Sequence, residues 1–324
     1  MKVPLLCFLL MLVNREAHIL VEKMVARSTF SQGVRANLNA AHQLVFAVQQ
    51  LEDGLEEMLM ERSTPGRAKY QQWLSFSEVH DLTRNVDGSK AILGWLGTNH
   101  IEVTWQSAYQ EYIKATAPIA TWESLLNTTF YEWTDHSRQT GFLRKEKTLH
   151  RASHYSLPVH IRSHVSAVFN TVQVPPAWKP AFQNLGRVSK RVKSSYSVTP
   201  DFLNSLYKIT PFTGSIPATL QQAVFETSQE SFSQADLTRF QNAFNLPRVA
   251  ALAPYGHTTT DCLHSSCYEG NLDVQYIMGM APNVATVYWY TGGSDPFLSF
   301  VTDVADSPNP PLVNSISWGS EELV

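Results

Sequence analysis

Hydrophobic and polar positions change period along the chain, and each change predicts an element. Across residues 42–49, Leu44, Phe46 and Val48 alternate with other residues and share one face, the pattern of a half-buried strand. Leu51, Leu55, Met58, Leu59 and Arg62 then fall at helical spacing, and Ser63-Thr64-Pro65-Gly66 stops that helix. Ser75 followed by Glu78 predicts a capping box and a short helix through Leu82. A further helix over residues 88–96 turns Ile92, Leu93, Trp95 and Leu96 inward. Residues 101–105 and 112–117 read as strands, and residues 122–126 as a second packing helix. Strand-helix-strand-strand-helix-strand order predicts a two-layer α+β domain, ferredoxin-like in topology.

The pattern then breaks. Pro175-Pro176 and Pro180 rule out regular structure, and Arg187, Lys190, Arg191 and Lys193 follow. Residues 176–199 therefore read as an exposed linker, where proteolytic nicking concentrates. An unprocessed tether fits the same composition. Beyond it, Ala223-Val224-Phe225-Glu226 predicts a short strand, and Ser233 with Asp236 opens a helix holding Leu237, Phe240 and Phe244. Residues 269–279 suit a helix, 286–290 a strand, 296–304 a helix and 312–318 a strand. Sparsely charged strands alternating with helices indicate a parallel sheet covered on both faces.

Composition agrees with two globular domains. The chain has 324 residues, 44% hydrophobic and 16% charged, which excludes a disordered chain. Its net charge of -3 gives no reason to expect nucleic acid as a partner. The charge is uneven, however. Residues 1–199 carry 22 Lys and Arg against 16 Asp and Glu, and residues 200–324 carry 3 against 12. Halves of opposite sign can attract each other, although scattered surface charge gives the same totals. Nine of the eleven histidines precede residue 199, so acid is expected to weaken any such contact.

At the start, Met1-Lys2 and an apolar run over residues 3–13 form a signal-peptide pattern, too short to span a bilayer, with Ala17 as the cut. A buried N-terminal helix is the alternative. No other stretch approaches transmembrane length. Loss of residues 1–17 would remove Cys7 and leave Cys262 and Cys267, a candidate disulfide closing a small loop. Two free thiols remain the other reading. Asn127-Thr128-Thr129 is a glycosylation sequon.

Candidate chemistry lies at Glu269 and Asp273. Four residues apart on a helix, their carboxylates share a face. Repulsion raises one pKa, so one group can exchange a proton while the other supports it, best under acidic conditions. The spacing alone also suits a solvated helix face. His160 and His164 stand at metal-ligand spacing, but Arg162 or Ser163 occupies the place where a glutamate is needed, so they read as surface residues and no metal site is expected.

Flanking residues sharpen the reading. Glu-x-x-Leu-Asp-Val-Gln-Tyr, from Glu269 to Tyr276, resembles the catalytic-helix motif of the serine-carboxyl peptidase (sedolisin) family. Ser197-Val198-Thr199-Pro200 with Leu203 and Leu206-Tyr207 resembles the start of that family's mature enzyme. Phe232-Ser233-Gln234-Ala235-Asp236-Leu237 with Phe240, and Val313-Asn314-Ser315-Ile316-Ser317-Trp318-Gly319, resemble two further segments, the second its central strand. Upstream, Ser63-Thr64-Pro65, Lys69-Tyr70, Leu74-Ser75, Glu78-Val79 and Trp95-Leu96 resemble its activation prodomain. Kumamolisin-type and tripeptidyl-peptidase zymogens are the nearest pattern.

The resemblance implies a prodomain over residues 40–175, the linker over 176–199, and the N-terminal part of a peptidase domain over 200–324. The second domain is expected to be an incomplete α/β subtilisin-like catalytic domain with a parallel sheet. Glu269 would be the general base and Asp273 its support, acting on a polypeptide, with the prodomain covering the cleft. The secretory route and an acidic compartment, extracellular or lysosome-like, are implied. The Ser-Gly-Thr-Ser-type nucleophile segment and the Gly-Asp-Ser-Gly-type oxyanion segment do not occur in these residues; Gly292-Gly293-Ser294-Asp295 is the nearest string and lies too early. Calcium is implied by the resemblance, but its site belongs to the missing part. The chain alone is therefore expected to be inactive, as a truncated zymogen or as a short product whose prodomain inhibits a full-length relative.

Overall fold

The computed structural model describes residues 17–51, 54–136, 148–175, 179–180, 198–210, 212, 214–217, 219–228, 230–253, 258–259, 267–293 and 295–319. The signal-peptide stretch, Cys262 and most of the predicted linker lie outside these residues. The chain divides into two compact units, residues 1–174 and 175–324.

Unit 1 contains β1 (His18–Lys23), β2 (Phe30–Arg35), β3 (Ala41–Val48), α1 (Leu55–Ser63), α2 (Phe76–Thr83), α3 (Val86–Thr98), β4 (Glu102–Gln106), β5 (Tyr112–Pro118), α4 (Ile119–Leu125), β6 (Phe130–Asp135), β7 (Thr148–Ala152), β8 (His154–Pro158), α5 (Val159–Arg162) and β9 (Val165–Phe169). Four strands form an antiparallel sheet in the order β4-β5-β3-β9. A second sheet, β2-β6-β7, and the pair β1-β8 complete the unit, so structure begins well before residue 40. The capping box forms as the sequence dictates: the Glu78 N–H donates to Ser75, and Glu78 Oε2 accepts from the Ser75 N–H at 2.7 Å.

Ile92, Leu96, Phe46, Ile113 and Trp122 are buried in one core. Leu44, Val45 and Phe46 are all buried, so the middle of β3 is covered on both faces rather than half-buried. Trp122 fills the centre and donates its indole N–H to the His42 carbonyl at 2.8 Å. Trp122→Ala is expected to cost unit 1 about 3–5 kcal/mol through the cavity it leaves. Denaturant unfolding measures this, and a loss under about 1 kcal/mol would contradict the packing. Helix α1 forms where the spacing places it, but none of its residues is buried. Leu55, Met58 and Leu59 instead line an open apolar cavity of 280 Å³ with Trp73, Leu74 and Val79. His160 lies exposed on α5, and His164 follows that helix. Asn127 is exposed in the turn after α4, with a positive φ of 46°.

Unit 2 contains β10 (Lys179–Pro180), α6 (Pro200–Tyr207), β11 (Gln221–Glu226), β12 (Phe232–Ser233), α7 (Gln234–Ala243), β13 (Thr258–Thr259), α8 (Tyr268–Met280), β14 (Ala285–Tyr290), α9 (Pro296–Asp306), β15 (Val313–Ile316) and β16 (Trp318–Gly319). Its main sheet is parallel, in the order β14-β11-β15. The two-residue period of the strands divides the core. Val224 and Tyr288, opposite each other in register, cluster with Leu237, Val274 and Met278 of α7 and α8. Phe225 and Trp289 point the other way, onto Phe297 and Phe300 of α9. The predicted strand over 312–318 is interrupted at Ser317, and Leu312, Val313 and Ile316 are exposed. Asp295, within the Gly292-Gly293-Ser294-Asp295 string, is the N-cap of α9 and accepts from the Leu298 N–H at 3.1 Å.

Candidate active site

Parallel strands share one carboxyl end, and in α/β sheets that end is where sites form. Glu226 is the last residue of β11, and Ser317 follows β15 at the same end. Helix α8 supplies Glu269 in its first turn and Asp273 one turn later. The two carboxylates that the sequence singles out are thus on one helix, Glu269 buried at 2% exposure and Asp273 half-buried. A solvated helix face would leave both in water, so burial favours the chemical reading of the pair.

The intervening residues of the motif explain the placement. Val274 is buried under the sheet. The Asn271 side chain accepts from the Ser233 N–H at 2.9 Å and donates to Asp236 at 3.2 Å, tying α8 to the cap of α7. The Tyr276 hydroxyl donates to the Val198 carbonyl at 2.7 Å, and its ring packs on Phe240. Gly270 permits a close approach: a Cβ there would stand 2.4 Å from the Ser231 carbonyl oxygen. Cys267, the N-cap residue of α8, is disulfide-bonded and buried. Cys262, its expected partner, lies outside the described residues.

Five residues to which the sequence assigned no chemical role join the pair: Glu226, Glu230, Tyr288, Ser317 and Trp318. Glu226 is fully buried, and its Oε2 accepts from the Trp318 indole N–H at 2.9 Å. Burial pushes its carboxyl up to about 9; the Trp318 hydrogen bond opposes this, and the charges of Asp273, Glu230 and Glu269 add to it. Glu230 accepts from the Gly270 N–H, and burial followed by the Asp273 charge pushes it up to about 7. Asp273 is itself raised by burial, against the hydrogen bond that Ser317 donates to it. Glu226 Oε1, Glu230 Oε2 and Asp273 Oδ2 are buried with no hydrogen-bond partner among the described residues. Tyr288 borders the same group, and burial raises its hydroxyl far above the ordinary range. The sequence held one usable signal, a carboxylate closing the apolar strand Ala223-Val224-Phe225.

This arrangement can hold protons at neutral pH and pass them between neighbouring carboxyl groups. Comparison with known proteins gives it a context. Residues 28–174 match the family described as Pro-kumamolisin, activation domain. Physarolisin of Physarum polycephalum is 28% identical over 306 residues, covering 91% of this chain and 49% of the relative. Tripeptidyl-peptidase 1 of Dictyostelium discoideum is 24% identical over 305 residues, covering 83% and 49%. The Homo sapiens protein of that name is 25% identical over 298 residues, covering 89% and 52%. These shares of the chain exceed what residues 1–174 could supply, so the similarity runs into unit 2. The chain resembles a serine-carboxyl peptidase zymogen. It spans about half the length of the curated relatives it matches. Among the described residues no helix is long and apolar enough to cross a membrane.

Proposed function

We propose that this chain carries the acid/base half of a serine-type acid peptidase zymogen. Glu269 is the general base that takes a proton from a serine hydroxyl, and Asp273 orients and recharges it. The observation that carries this reading is the convergence of buried Glu269, half-buried Asp273 and Glu226 at the carboxyl end of a parallel sheet. Raised carboxyl values keep Glu226 and Glu230 protonated in acid, so they add no negative charge beside the pair there.

The finer points of the fold follow the same reading. The order β4-β5-β3-β9, with helices between the strands, supports a ferredoxin-like prodomain. The parallel order β14-β11-β15, with helices on both faces, supports a subtilisin-like catalytic domain. The substrate is a polypeptide trimmed from its N-terminus in tripeptides. The secretory route to an acidic extracellular or lysosome-like compartment follows from the similarity to tripeptidyl-peptidases. Among the described residues no three His, Cys, Asp or Glu are grouped to hold a metal ion.

No Ser-Gly-Thr-Ser-type segment occurs in these 324 residues. The 324-residue chain is therefore expected to show no turnover of an N-terminal tripeptide substrate at pH 4. A longer product of the same gene carrying a Ser-Gly-Thr-Ser-type segment is expected to cleave it. Robust turnover by the 324-residue chain contradicts the assignment of the missing serine, and an inert longer product contradicts the peptidase reading.

A further inference from the structure

The first amides of a helix have no partner within it. In α8 the N-cap Cys267 gives no side-chain hydrogen bond to them. The Gly270 N–H, one residue beyond Glu269, donates instead to Glu230, which lies in the segment between β11 and β12. Ser231 presses its carbonyl against the same glycine, leaving no room for a side chain. Residues 230 and 231 thus grip the turn that holds Glu269.

We propose that Glu230 is a positioning residue for the Glu269 base, capping the helix turn that carries it and setting the charge felt by the neighbouring carboxyl groups. This rests on reading Glu269 as the base. A cap needs only one acceptor oxygen, which Ser or Asn usually supplies. Glu230 brings a second, Oε2, buried with no hydrogen-bond partner among the described residues. The titratable groups around it are Glu226 at the end of β11, Glu269 and Asp273 on α8, and Tyr288 on β14. Asp273 repels the Glu230 charge, and Glu230 in turn helps raise Glu226. Mutual repulsion at close range ties their proton occupancies together. Glu230 is thus joined to the reacting pair by a backbone hydrogen bond on one side and by charge on the other.

Two variants of the full 324-residue chain separate these roles. Glu230→Ala removes both cap and charge, and Glu230→Gln keeps an acceptor for the Gly270 N–H but removes the charge. Hydrogen exchange at Gly270 is expected to speed up about 5-fold or more in Glu230→Ala, as a lost cap requires, and to stay near wild type in Glu230→Gln. Carboxyl-carbon NMR titration of Glu226 is expected to show its midpoint moved down in Glu230→Gln, by about half a pH unit or more. Unchanged Gly270 exchange in Glu230→Ala overturns the cap, and an unmoved midpoint in Glu230→Gln overturns the electrostatic role. If Glu230→Ala does not fold, Glu230→Gln still decides the electrostatic role, and exchange at Gly270 matching wild type in it still supports the cap. Neither readout uses peptide hydrolysis, so failure here is distinct from failure of the peptidase reading, which turnover decides.

Discussion

Glu226→Gln is expected to make unit 2 more resistant to unfolding than the wild type at pH 8, with the two proteins converging near pH 5. The Glu226 carboxyl is buried and held at about 9, well above its ordinary 4.5. The folded state therefore binds this proton more tightly than the unfolded state between those values. Its contribution to stability is fully present below the ordinary carboxylate range and is lost as pH rises toward about 9. Each pH unit in that window changes stability by roughly 1.4 kcal/mol, so the total reaches several kcal/mol. Glu230, raised to about 7, adds to the same slope over a narrower range. Glutamine is neutral throughout and still accepts from the Trp318 indole, so the variant loses the Glu226 share of the slope. Denaturant unfolding followed by amide exchange in β11 and β14 measures it. Equal pH slopes for variant and wild type would show that Glu226 does not hold its proton.

The second large effect falls on catalysis. In a product of this gene that carries the serine, Glu269→Gln is expected to lower kcat by about 10³–10⁴-fold, as loss of the general base does in other triads, with KM little changed. The amide occupies the same buried space but cannot take the serine proton. Asp273→Asn keeps the geometry but removes the charge that recharges the base, and a smaller loss is expected. Single-turnover and steady-state kinetics on an N-terminal tripeptide substrate separate these cases. Glu269→Gln within tenfold of wild type would remove Glu269 from the chemistry.

Local chemistry was legible in the sequence. The Ser75–Glu78 box, the cap at Ser233, the strand ending at Glu226 and the helix holding Glu269 and Asp273 all depend on neighbours within a few residues. What escaped was long-range. Trp318 meets Glu226 across 92 positions, and no periodicity announces such a pairing. Glu230 reads as one polar residue in Ser228-Gln229-Glu230-Ser231 until α8 is packed beside it. The helical spacing of α1 is met, but its apolar residues are not buried, for a related reason. Helical spacing reports an apolar stripe, but burial requires a covering surface, and within unit 1 the stripe lines an open cavity.

The bond between Glu226 and Trp318 also orders events during synthesis. At ordinary translation rates, about 5–20 residues per second, the 92 positions between them take on the order of ten seconds to emerge. Throughout that interval the nascent β11 ends in a carboxylate that has no indole to meet. Buried early it would keep its proton but have no indole donor for its oxygen, so the chain gains by leaving the end of β11 wet until Trp318 arrives. The Glu226 contact with the indole therefore cannot close before Trp318 has emerged.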